Sequence, residues 1–450
     1  MTRLLHFGRR AAALLTAFCI GIAPAYALDG GRYGSVQMVK PHGSLSGFVI
    51  LFSAGPAWGG ADQRAADLLA AKGALVIGVN RAAYVATIDK AACHELVGDA
   101  DSLSKQLQRS LGIKRYHAPI LAGLGQGGRL AQLALTEAPA NTIAGAVSID
   151  PDAAPGLTSP PCPRDPAASD HLLGFWGVAL TPAAPKAGRA WIKSETRAGR
   201  APTVRRYPAG TPEATMLAAL IGPHLAQPAY RPEDVTDLPL IELPAAHPSD
   251  LLAVVLSGDG GWRDLDKTIA EKLSRRGVQV VGWDSLHYFW SAKTPAQAAH
   301  DLARVLRVYS ALWHTKHVAL IGYSFGADVL PFLYNRLPAA QRREVSLISL
   351  LGFAKAADFE IHITGWLGLP PSSKALPVAP ELATIPPSLI QCFYGATEDD
   401  TFCPALANTG VTLIRTPGGH HFGGHYEPLA RRILDGWHKR IAAQGAKAAR

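Results

Sequence analysis

A chain of 450 residues exceeds what one hydrophobic core holds, since cores stop growing at roughly 250–300 residues, so two domains are expected. With 48% hydrophobic and 18% charged residues it is neither disordered nor fibrous. Its net charge of +9 suits an anionic membrane surface or an acidic substrate, but Lys and Arg are scattered without interleaved aromatics, which argues against nucleic acid as a partner.

At the N-terminus, Arg3, Arg9 and Arg10 precede an apolar run from Ala11 to Ile22, and Pro24 is followed by the small-residue pattern Ala25-Tyr26-Ala27. This predicts a signal peptide over residues 1–27, cleaved after Ala27, and export to the periplasm. The run is shorter than the ~20 apolar residues of a membrane span. Cleavage removes three positive and no negative residues, so the charge falls from +9 to about +6. It also removes Cys19 and leaves Cys93, Cys162, Cys392 and Cys403, an even number in an oxidising compartment. Of three possible pairings, Cys93–Cys162 with Cys392–Cys403 keeps each bridge within one domain. Neither a Cys-x-x-Cys motif nor a histidine cluster accompanies them, so no metal or cofactor is expected.

The first half runs Val49 to Trp58 as an apolar strand entering a glycine-rich turn, then Ala66 to Asn80 as a helix closed by Gly73 and a buried strand. Pro119 to Leu133 is a strand followed by a helix, Pro151 to Pro166 a long loop pinned by Cys162, and Val204 to Gly210 a last strand. A boundary is expected between Leu225 and Asp237, because Leu238 to Leu243 reads as a new strand. The second half then repeats the first: Val254 to Trp262, Ala270 to Asp284, Val318 to Phe332 and Leu413 to Gly419 match the four blocks in order. The expectation is an α/β chain of two tandem α/β-hydrolase-like domains, residues 28–235 and 236–450, each a mostly parallel sheet covered by helices.

The chemistry falls in the second copy. Gly322-Tyr323-Ser324-Phe325-Gly326 fits G-x-S-x-G, with strand-like Val318–Ile321 before it and a helical pattern from Ala327 to Arg336 after it, so Ser324 sits on a strand-to-helix elbow. A serine nucleophile needs a base, and the base an orienting acid. The strand Leu389–Tyr394 runs through Gly395 into Glu398, Asp399 and Asp400, of which Asp400 is the first choice and Glu398 the alternative. Pro417 to His425 is a glycine-rich loop after the last strand. His421, beside apolar Phe422, is the preferred base, with His420 second and His425 third. Phe325 N–H and the turn Gly258-Asp259-Gly260 are the candidate oxyanion donors. Tyr288, Phe289 and Trp290 are read as core packing or as the lining of an acyl or head-group pocket. The first copy is degenerate: Gly125 stands in the serine's place, Thr211 and Pro212 in those of His420 and His421, and Phe175 to Lys193 holds no carboxylate.

Four strings, SGDGGW (257–262), IGYSFGADVLPF (321–332), a Tyr-Gly-acid loop closed by Cys403-Pro404, and PGGHHF (417–422), together resemble the VirJ/AcvB family of bacterial virulence proteins. The two-copy form is similar to AcvB over essentially the whole mature chain. The resemblance implies a periplasmic α/β-hydrolase, linked to type IV secretion in some members and to hydrolysis of aminoacylated phosphatidylglycerol in AcvB-like ones, with Ser324, Asp400 and His421 as triad. Family members often carry an acidic residue soon after the His-Phe pair, whereas here Gly423-Gly424-His425 follows. The expected activity is hydrolysis of lysyl- or alanyl-phosphatidylglycerol in the membrane. The alternatives are a non-catalytic partner of a secretion-system or envelope complex and a general lipase, esterase or peptidase. An aminoacyl ester carries an ammonium beside its carbonyl, which Asp259, Asp284 or Asp328 would pair with, unless Asp259 and Asp328 simply hydrogen-bond the turns of the elbow.

Overall fold

Buried apolar runs alternating with helical periods fold into two separate sheets in a computed structural model that describes residues 27–162, 172–225, 233–362 and 372–448. The expected signal segment lies outside the described residues apart from Ala27, as do 163–166 of the proline-rich loop and 226–232 of the expected boundary. No helix among the described residues is long and apolar enough to cross a membrane.

The first sheet holds β1 (Ala27–Asp29), β2 (Ser35–Val39), β3 (Gly47–Phe52), β4 (Ala74–Val79), β5 (Pro119–Leu124), β6 (Gly145–Ile149), β7 (Phe175–Leu180) and β8 (Thr203–Arg206), in the order β1-β2-β4-β3-β5-β6-β7-β8. The second holds β9 (Leu240–Leu243), β10 (Leu251–Leu256), β11 (Gln279–Trp283), β12 (His317–Tyr323) and β13 (Val345–Leu351). A small separate ladder of β14 (Ala356–Ala357) and β15 (Leu376–Pro377) follows, and β16 (Ile390–Gly395) and β17 (Thr412–Thr416) complete the order β17-β16-β13-β12-β10-β11-β9. Strands β4-β3-β5-β6-β7-β8 and β11-β10-β12-β13-β16-β17 are parallel and identically ordered, and each set is edged by an antiparallel strand, β2 or β9.

Helices on both faces explain why β3 and β10 read as continuous apolar runs. Phe48, Ile50 and Phe52 enter one cluster and Val49 and Leu51 the opposite one, while Leu252, Val254 and Leu256 part in the same way from Leu251, Ala253 and Val255. The duplication extends to single contacts. Trp58 lies over Gly78 and Trp262 over Gly282, and a Cβ on either glycine would come within 2.4 Å of the indole. Ser53 Oγ accepts from Arg81 N–H at 3.1 Å, and Ser257 Oγ from Ser285 N–H at 2.9 Å.

Both expected disulfides are present, Cys93–Cys162 and Cys392–Cys403. The domains are packed closely against one another. Tyr116 of the first belongs to a core cluster of the second, Trp290 Nε1 donates to Ile113 O at 2.9 Å, and Arg109 donates to Ile361 O at 2.6 Å and Trp290 O at 3.0 Å. Tyr288, Phe289 and Trp290 are accordingly buried, at 6%, 1% and 1% exposed, so of their two expected duties packing is the observed one.

Candidate active site

The elbow is built by close backbone approach. A Cβ on Gly322 would lie 2.5 Å from Gly326 O, and one on Gly326 would lie 2.4 Å from Leu256 O, so both flanking positions exclude a side chain. Between them Ser324 adopts φ 51° and ψ −121°, a left-handed conformation that a non-glycine residue holds only when its surroundings impose it. Ser324 N–H donates to Leu351 O at 2.8 Å, and the helix Phe325–Asn335 starts at the next residue. Gly125 has nearly the same angles, φ 54° and ψ −119°, and Gly125 N–H donates to Ile149 O at 2.9 Å. The first domain thus keeps the elbow without a hydroxyl.

The loops after β16 and β17 complete the site. His420 Nε2 lies 2.9 Å from Ser324 Oγ, and His420 Nδ1 lies 2.6 Å from Glu398 Oε1. An ionised carboxylate only accepts, so Nδ1 carries the proton and Nε2 accepts from the serine hydroxyl. Glu398, 5% exposed in its side chain, takes Gly395 N–H on its other oxygen at 2.9 Å. Gly352, at φ 62°, passes beneath the pair: a Cβ there would meet His420 Cε1 at 2.8 Å and Glu398 Oε1 at 3.4 Å.

The structure therefore joins Ser324 to His420 and Glu398, not to the first choices His421 and Asp400. The acid loop turns tightly, with Glu398 N–H donating to Gly395 O at 3.2 Å, which points the third residue after the strand inward and leaves Asp399 and Asp400 exposed. In the histidine loop Phe422 is buried, at 2% exposed, in the core cluster with Leu429 and Trp437. His421 then turns away from Ser324, and its Nδ1 is hydrogen-bonded to the Tyr323 hydroxyl at 2.8 Å. Burial, followed by the nearby Asp266 charge, raises the pKa of that phenol far above the usual value. His425 is exposed farther along the loop.

Phe325, as the first residue of its helix, has no intrahelical acceptor for its N–H. The turn Gly258-Asp259 stands beside it: a Cβ on Gly258 would lie 3.6 Å from Ser324 Cβ. Both expected oxyanion elements thus flank the hydroxyl.

The three aspartates expected near a substrate ammonium part company. Asp284 is 1% exposed and caps the short helix Ser285–Tyr288, accepting from His287 N–H at 3.1 Å, with the His287 ring 2.9 Å away, so it faces no substrate. Burial works to raise its pKa, but the His287 ring and N–H together with the Lys105 charge outweigh burial and the net direction is downward. Asp328, one helical turn after Ser324, accepts from Ala354 N–H at 2.8 Å and braces the loop after β13. Burial raises its pKa well above the usual carboxylate range against that hydrogen bond, and the charges of Asp259, Asp358 and Glu398 push the same way. Asp259 stays partly exposed on the turn beside Ser324.

Sequence reasoning missed Tyr323 and Gly352. Tyr323 fills the permissive position of its pentapeptide, and Gly352 follows β13 without a motif. Only the excess of small residues at strand ends hinted at such close approach.

Among solved structures, Est1E from Butyrivibrio proteoclasticus is similar at 15% identity and a TM-score of 0.33, covering 45% of this chain and 93% of that chain. An alpha-beta serine hydrolase homologue from Coxiella burnetii is similar at 15% and 0.30, covering 44% and 88%. Thermogutta terrifontis esterase 2 is similar at 15% and 0.30, covering 43% and 91%. No curated protein matches the chain. The family model of the bacterial virulence protein VirJ matches residues 250–441, which span β10 to β17 and all three of Ser324, Glu398 and His420.

Proposed function

We propose that the second domain is a serine ester hydrolase with Ser324 as nucleophile, His420 as general base and Glu398 as the acid that orients it. The observation that carries this reading is the unbroken relay from Ser324 Oγ to His420 Nε2 at 2.9 Å and from His420 Nδ1 to Glu398 Oε1 at 2.6 Å. Ser324 attacks the ester carbonyl and passes its proton to His420 Nε2, Glu398 stabilises the imidazolium, and His420 returns the proton to the leaving alcohol. Phe325 N–H and the Gly258-Asp259 turn receive the oxyanion.

The substrate we propose is an aminoacyl ester of phosphatidylglycerol, lysyl or alanyl, met at the periplasmic face of the membrane. Asp259, Asp358 and Glu398 lie close enough to Asp328 to raise its pKa through their charges, so the surroundings of Ser324 favour a cation such as the α-ammonium. Two disulfides suit an exported protein. The glycine at the first domain's elbow supports a non-catalytic duty there, either toward the second domain or toward secretion-system or envelope proteins.

The test is release of free amino acid from lysyl- and alanyl-phosphatidylglycerol vesicles by the mature chain and by Ser324→Ala. Release that vanishes in the variant supports enzyme and substrate together. Fluorophosphonate labelling of Ser324 without release keeps the hydrolase and discards the lipid, and neither labelling nor release discards both.

A further inference from the structure

The turn that flanks Ser324 is held from outside its own domain. Helix Leu96–Ser110 of the first domain presents Asp101, Lys105 and Arg109, spaced one helical turn apart and so on one face, toward the second domain. Asp101 is 5% exposed and takes Lys105 Nζ at 2.8 Å and Arg263 Nη2 at 2.5 Å on the same carboxylate oxygen. Arg263 belongs to the second domain and closes the glycine turn: its Nε donates to Gly260 O at 3.1 Å. The guanidinium therefore bridges a buried carboxylate of one domain and a backbone carbonyl of the other.

Within its own domain the turn is held by Asp266, to which the Gly258 and Arg263 backbone N–H groups donate, and the bridge adds a second hold. The turn lacks regular secondary structure from Ser257 to Arg263, and Gly261 sits at φ 86°. Its far side rests on Asp284, since a Cβ on Gly261 would lie 3.4 Å from Asp284 Oδ1. The duplication supplies the contrast: by the register that pairs Trp58 with Trp262, the residue matching Arg263 is Gly59, so the degenerate domain's turn has no such arm.

We propose that Asp101 is a positioning residue for hydrolysis at Ser324, acting through Arg263 to fix the turn Gly258–Gly261 where the oxyanion forms, so that the catalytically degenerate first domain completes the active site of the second. The proposal rests on the reading of Ser324 as a nucleophile. Loss of an oxyanion donor outright costs a factor on the order of 100 to 1,000 in kcat, and loosening its support costs less, about tenfold.

The test uses the full chain, p-nitrophenyl butyrate as a neutral probe ester, and the rate of fluorophosphonate labelling. Asp101→Asn and Arg263→Gln are each expected to lower kcat and the labelling rate about tenfold with KM within about twofold. The double variant should be no slower than the slower single one, and Asp101→Glu should recover most of the rate. Labelling at completion should still reach one per chain, which separates slowed chemistry from lost fold. Arg263 is half exposed in its side chain, so Arg263→Gln leaves the buried Asp101–Lys105 pair in place and reads the bridge alone. Parental rates in Arg263→Gln overturn the positioning role while leaving the hydrolase intact. A parent chain that neither labels nor turns over ends both.

Discussion

Gly125 and Ser324 share one backbone conformation, yet only Ser324 has partners to work with. Restoring a hydroxyl in the first domain should therefore not restore chemistry. Gly125→Ser is expected to remain unlabelled by fluorophosphonate at residue 125, because Thr211 and Pro212 stand where the histidine pair would be. At φ 54° the new side chain should cost about 1 kcal/mol, visible in thermal unfolding.

The two adjacent histidines and the run of acids give the sharpest contrast between pattern and geometry. His420→Ala and Glu398→Gln are expected to lower kcat on the order of 1,000-fold or more, while Asp400→Asn changes it less than about threefold. His421→Ala should fall between them, because it removes only the bond to the Tyr323 hydroxyl. Steady-state rates of the four variants, measured side by side, decide the assignment.

Gly352 is predicted to be irreplaceable for activity. A methyl group there would press on His420 at 2.8 Å and near Glu398 at 3.4 Å, displacing the base from Ser324. Gly352→Ala should lower kcat on the order of 100-fold, with a loss of stability of only about 1 kcal/mol. Comparable losses in both would instead mean that the fold, not the base, depends on this glycine.

Glu213 supplies a pH prediction in the first domain. Burial, then the neighbouring Asp62, pushes its carboxyl up to about 7, and its Oε1 is buried without a hydrogen-bond partner among the described residues. Because the folded pKa is raised, its contribution is fully present below the unfolded value near 4.5 and is lost as pH rises through 7. Glu213→Gln should leave Tm unchanged at pH 4 and raise stability by up to about 3 kcal/mol at pH 8. Thermal unfolding at both pH values checks this, and equal gains at both would point to packing instead of ionisation.

The disulfide Cys392–Cys403 closes the segment that carries Glu398. Replacing both cysteines by serine should cost about 2–3 kcal/mol and lower kcat more than KM, as the acid loop gains freedom. An activity loss of the same size on removing Cys93–Cys162 would show a global effect.

Much of this was legible in the sequence because the signals were of the kind that period and repetition carry. Buried strands, glycine-closed helices and an internal repeat fixed the architecture, and the elbow announced itself by its flanking strand and helix. The choice between His420 and His421, and between Glu398 and Asp400, was not legible, since side-chain direction on a short loop is set by what neighbouring residues bury. Phe422 entering the core and Gly395 tightening the acid turn made those choices. The bridge from Asp101 to Arg263 was hidden for another reason: it joins residues far apart in the chain, and its only local trace was an arginine in one copy where the other has glycine.

The stacked pairs Trp58 on Gly78 and Trp262 on Gly282 have one more implication. They persist in both copies, although Ser324, His420 and Glu398 have counterparts in only one. Each chain thus holds its own internal control: contacts kept in both halves are ones the fold can demand without Ser324, His420 and Glu398.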